Sequence, residues 1–118
     1  MKVKAEELSG AALDWAVAKC EPDDTVRIYF DEDTGEKSCH DDWDVPEFSP
    51  STDWAQGGPI IEREGISVYF DDRDGDWYAK APATPVTYYA YNPLVAAMRC
   101  YVASKLGYEV ETPIEEIN

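Results

Sequence analysis

Apolar residues recur at helical spacing toward both ends of the chain and alternate in its middle, with a long stretch between that follows neither period. Leu8, Ala12, Trp15, Ala16 and Lys19 lie along one stripe, and Leu13, Val17 and Cys20 along the adjoining one. This wide apolar face predicts a first helix from Ala11 to Cys20, capped by Ser9. Pro22-Asp23-Asp24 ends it, and Val26 to Phe30, β-branched and aromatic, predicts a half-buried strand. Asp31 to Pro50 mixes Asp, Glu, Ser, Gly and Pro with scattered aromatics and predicts a long acidic loop.

Gly57-Gly58-Pro59 has the composition of a turn opening a strand at Ile60-Ile61. Ile66, Val68 and Phe70 then alternate around Ser67 and Tyr69, and an Asp-Gly turn signal within Asp71 to Asp76 precedes Trp77 to Lys80, predicting a hairpin. Val86 to Tyr91 suits an edge strand. Asn92 as N-cap with Pro93 in the first turn opens a second helix, whose apolar lines are Leu94, Met98, Tyr101 and Lys105 beside Val95, Val102 and Leu106. Gly107 stops it, and the tail from Tyr108 has only Val110, Ile114 and Ile117 to pin it, so fraying is expected over 108–118.

Two amphipathic helices and a small antiparallel sheet of three to four strands predict an α+β layer arrangement, since neither helix can bury its face except against the sheet or the other helix. At 118 residues the chain suits one domain over 1–118, and an apolar patch left by so short a sheet would also suit a homodimer seam. The net charge of −15, from 25 acidic and 10 basic residues, opposes direct binding of nucleic acid or anionic lipid. A partner with a basic surface, or an acidic surface kept for solubility, fits better. No apolar run approaches the roughly twenty residues of a membrane span, and Met1-Lys2-Val3-Lys4 leads into Ala5-Glu6-Glu7, not a signal-peptide core, so a cytoplasmic location is expected. Cys20, Cys39 and Cys100 are odd in number and widely spaced, which makes reduced thiols the expectation.

The usual chemistries find little support. Aligning Gly35 or Gly75 with the turn glycine of an EF-hand loop places Phe30 or Phe70 where the first carboxylate must be. Cys20, Cys39, His40 and Cys100 lack the paired short spacings of a zinc site, and two core thiols plus an exposed Cys39-His40 pair account for them. Adjacent side chains on an extended segment point apart, so His40 is badly placed to activate Cys39. Glu62 and Glu64 would share a strand face as an acid/base pair, but carboxylates are too plentiful for that to distinguish a site. No cofactor is implied.

The segment from Thr52 to Glu64 is the most particular. Trp54 has two readings: a core plug beside a glycine turn, or, if exposed, the anchor of a patch with Asp53, Gln56 and Arg63. Its burial decides between them.

Three blocks, Leu8 to Ala18, Ser49 to Glu62 and Leu94 to Gly107, together resemble the NinX-like family of small phage proteins, a family of unknown function. The resemblance covers both predicted helices and the central turn, and implies origin in a tailed bacteriophage or prophage, among accessory genes. It implies no activity, cofactor or catalytic residue. Glu21 to Asp44 and Tyr88 to Tyr91 lie outside it.

The reading that follows is of a non-enzymatic accessory protein that binds a host or phage macromolecule through an acidic surface, with nucleic-acid mimicry against a host protein as its sharpest form. Asp31, Asp33, Asp41 and Asp42 of the acidic loop join Asp53, Trp54, Gln56 and Arg63 as candidate contact residues. The alternative is a small-molecule or nucleotide-modifying enzyme with the Trp54 turn as a pocket wall and Arg63 or Arg99 as anion clamp. A deep pocket uniting Asp53, Trp54, Arg63 and Arg99 would favour it.

Overall fold

A computed structural model of the chain describes residues 2–21, 27–30, 32–40 and 47–112. The elements in order are β1 (Lys2–Lys4), a 3-10 turn (Ala5–Glu7), α1 (Gly10–Cys20), β2 (Arg27–Phe30), β3 (Lys37–His40), α2 (Trp54–Glu64), β4 (Ser67–Asp71), β5 (Asp76–Lys80), β6 (Tyr88–Ala90), α3 (Pro93–Leu106) and β7 (Glu109–Glu111). The fold is α+β, with antiparallel sheets ordered β1-β7, β2-β3 and β4-β5-β6.

Helix α3 is the centre of the molecule. Leu94 to Met98 and Cys100 to Ala103 are all buried, so this helix is apolar almost all round and must be covered on several sides. The three-stranded sheet covers one side, and α1 and α2 pack on others. Tyr101, Leu8, Leu13, Leu94 and Met98 are the largest fully buried side chains, each worth about 2 kcal/mol or more of transfer free energy. Asn92 caps α3 as its sequence implies, accepting from the Leu94 N–H at 2.8 Å and the Val95 N–H at 3.3 Å, and Gly107 stops it at φ 94°. Ser9 holds the cap position of α1, but its side chain makes no capping hydrogen bond.

Three expectations are corrected. The Gly-Gly-Pro segment is not a turn, and Ile60-Ile61 do not start a strand: Trp54 to Glu64 is one helix. Neither Gly57 nor Gly58 has a positive φ, and the chain turns instead at Gly65, with φ 65°. Gly57 is there for space, since a Cβ on it would lie 2.4 Å from the Pro50 carbonyl oxygen and 2.7 Å from Leu94 Cδ2. Pro59 lies inside the helix and leaves the Ala55 carbonyl without its usual intrahelical donor. Glu62 and Glu64 therefore sit on a helix, not on one face of a strand.

The acidic loop predicted over 31–50 contains β3, which pairs with β2 so that Ile28 opposes Cys39. The frayed tail predicted from Tyr108 begins instead with β7, where Val110 is buried opposite Val3 of β1. Each of these strands carries a single core-facing residue, too little for a period to register. The hairpin of β4 and β5 and the edge strand β6 form where the alternation places them.

Candidate partner-binding surface

Asp53 caps α2 through its Oδ1, which accepts the Ala55 N–H at 3.0 Å. Gln56, one turn along, pins the preceding loop: its Oε1 accepts the Ser49 N–H at 2.8 Å, and its Nε2 donates to the Glu47 carbonyl and to Asp53 Oδ2, both at 3.1 Å. Between them Trp54 is 56% exposed. The core-plug reading of Trp54 is thereby overturned. Asp53, Trp54 and Gln56 do form a compact group at the start of α2, with Asp53 and Gln56 serving the local backbone.

Arg63 is not part of that group. It lies nine residues further along α2, roughly 13 Å down the axis. There its Nη2 donates to Glu21 Oε2 at 2.9 Å and to the Tyr101 hydroxyl at 3.1 Å, and its Nε donates to Glu64 Oε2 at 2.9 Å. Lys105 completes the network, 3.2 Å from Glu64 Oε1. The Tyr101 hydroxyl donates in turn to Glu21 Oε2 at 2.7 Å. The Glu64 bond, followed by Glu21, raises the Arg63 pKa, while Arg63 and then Lys105 lower that of Glu64. Two cations matched by two carboxylates tie together the C-terminal ends of α1, α2 and α3.

Arg99 is likewise committed, donating from Nε to the Leu8 carbonyl at 2.7 Å and from Nη1 to the Tyr89 carbonyl at 3.0 Å. Two grooves among the described residues, of about 400 and 430 Å³, are lined by Lys4, Val86, Tyr88 and Tyr108 in one case and by Trp15, Lys19, Leu106 and Val110 in the other. Neither groove unites Asp53, Trp54, Arg63 and Arg99. Asp33 is exposed in the turn between β2 and β3, while Asp31, Asp41 and Asp42 lie outside the described residues.

The thiols are placed as core residues. Cys39, expected to be exposed beside His40, is fully buried and donates to the Ala11 carbonyl at 3.0 Å. Burial pushes its thiol up to about 12, and does the same to Cys20 at about 12 and Cys100 at about 11. Thiolate, the nucleophilic form, is thus suppressed at neutral pH. All three cysteines are free. Among the described residues no group of three or more His, Cys, Asp or Glu is placed to hold a metal ion. Burial also raises Asp14 to about 6, against hydrogen bonding from Ser51, whose N–H lies 2.9 Å from Asp14 Oδ1.

Sequence reasoning did not identify the face that the sheet turns away from α3. The register aligns Tyr69 with Tyr78 and Tyr78 with Tyr89, one tyrosine from each strand. Ring centroids are 5.6 Å apart between the first two and 6.0 Å between the second two. The signal was the alternation itself, Tyr69 opposite in phase to Val68 and Tyr89 to Tyr88, but it needs the strand register to become a row. Asp71 and Asp76 form the next pair toward the turn, and Ser67 and Lys80 the pair on the other side.

A family model described as "Bacteriophage P22, NinX" matches residues 4–105. No curated protein matches the chain. Among the described residues no helix is long and apolar enough to cross a membrane.

Proposed function

Since the chain belongs to the bacteriophage P22 NinX family, we propose that this phage accessory protein acts by engaging a macromolecular partner and not by catalysis. The observation that carries this reading is the exposure of large aromatics on a molecule of charge −15: Trp54 at the start of α2, and Tyr69 and Tyr89 on the outer sheet face. Aromatics are enriched at interface centres, and the surrounding carboxylates select a basic partner through steering and repulsion of acidic competitors. In its sharpest form the acidic surface occupies a groove that would otherwise take nucleic-acid phosphates.

The test is a tagged pull-down from host lysate at low and moderate salt, with Trp54→Ala beside wild type. Retention of one nucleic-acid-binding protein, released by added salt, is the expected result. Empty eluates at low salt would sink stable docking to a host protein.

A further inference from the structure

We propose that the outer face of the β4-β5-β6 sheet docks a cationic, arginine-bearing segment of a protein partner, with Tyr69, Tyr78 and Tyr89 as its aromatic floor and Asp76 as its charged edge, beside the Asp71 carboxylate that Arg73 already holds. This deepens the binding reading above and rests on it. Successive strand residues alternate between faces, so Val68, Ala79, Tyr88 and Ala90 face α3 while the three tyrosines face outward. Three aromatics in adjoining register exceed what a solvated sheet face needs, and Tyr69 and Tyr89 are each about half exposed.

Charge decides the occupant. Residues 66–91 hold four aspartates, Asp71, Asp72, Asp74 and Asp76, against Arg73 and Lys80. A second copy of the chain would add another −15 to the assembly, and a nucleic-acid strand stacking on the tyrosines would lay its phosphates beside the Asp71–Asp76 pair. A guanidinium meets neither obstacle, because its flat face stacks on an aromatic ring while its edge matches a carboxylate. The molecule contains an example of the carboxylate half at the hairpin end. Arg73 binds Asp71 in a two-pronged contact, Nε to Oδ1 at 3.0 Å and Nη2 to Oδ2 at 2.8 Å, with its side chain 87% exposed. An ammonium fits the charge but not the stacking, so arginine is favoured over lysine.

The experiment titrates a labelled nona-arginine peptide into wild type, Tyr69→Leu/Tyr89→Leu and Tyr69→Phe/Tyr89→Phe at about 0.15 M salt, where weak surface attraction is screened. Nona-lysine and an oligothymidylate are run in parallel. Neither pair of substitutions changes the charge, so bulk acidity is held constant. The leucine pair is expected to weaken nona-arginine binding about fivefold or more, the phenylalanine pair to stay within about twofold, and nona-lysine to bind more weakly than nona-arginine. Leucine variants that bind like wild type, equal affinity for the two peptides, or preference for the oligothymidylate would each overturn the proposal. Amide shift mapping on the wild-type chain needs no variant: shifts concentrated in residues 67–91 are expected, and shifts spread over the acidic surface would overturn it. A host protein retained equally by wild type and the leucine pair would remove this face while leaving the binding reading intact. An empty pull-down beside tyrosine-dependent arginine binding would do the reverse.

Discussion

Gly57 and Gly58 are neighbours on one helix with opposite relations to their surroundings. A Cβ on Gly57 meets the Pro50 backbone, which cannot swing aside, whereas a Cβ on Gly58 meets nothing within 4 Å. Gly57→Ala is therefore expected to cost about 1–3 kcal/mol of overpacking, and Gly58→Ala to add about 0.5–1 kcal/mol through helix propensity, both read from urea unfolding. Asp14 gives a second test at this scale. Its folded value of about 6 lies above its ordinary 3.8, so its contribution to stability is fully present below pH 3.8 and is lost as pH rises through 6. That difference corresponds to about 3 kcal/mol. Glu64 and Asp71, both lowered by arginine partners, work in the opposite sense, but only at more acid pH. Between pH 7.5 and 5 the melting temperature is thus expected to climb, and Asp14→Asn to flatten that climb and raise stability at neutral pH. A wild-type profile flat over this range would contradict the assignment.

Among the elements, α3 and the hairpin were legible because their signals agree with their environment. Asn92-Pro93 and Gly107 bracket an apolar run, and the Asp-Gly turn joins two alternating segments. Helix α2 was not, since Gly57, Gly58 and Pro59 all argue locally against a helix. What overrides them is one local device, the Asp53 cap, together with tertiary packing: burial of Ile60 to 3% exposure, and close approach to Pro50 and Leu94 that only a glycine permits. The candidate site divides in the same way. Exposure of Trp54 and its grouping with Asp53 and Gln56 were among the readings available, but Arg63 was separated from them once the strand became a helix. The tyrosine row required a register that no single strand encodes. The caps can be compared directly. Asp53→Ala and Asn92→Ala should each cost about 1 kcal/mol in chemical denaturation. Only the Asn92 change should lower protection of the core amides as a whole, because α3 touches most other elements.

For the whole molecule, a charge of −15 on a small domain stores repulsion that counterions relieve. Raising sodium chloride from about 0.01 to 0.5 M is expected to raise the melting temperature, the inverse of its effect on capture of a basic partner. A melting temperature that falls over that range would mean that attractive pairs such as Arg63 with Glu21 and Glu64 outweigh the surplus. The β1–β7 ladder has a mechanical consequence. Lys2 lies opposite Glu111, so the chain on either side leaves this two-stranded sheet at the same end. Tension applied between the two strands loads their hydrogen bonds one after another, as in opening a zipper, instead of all at once in shear. An unfolding motor that grips the chain beyond Glu111 would peel β7 away with little resistance. Its next load is α3, which cannot leave without opening the core, so resistance should arrive as one abrupt step after an easy first few residues.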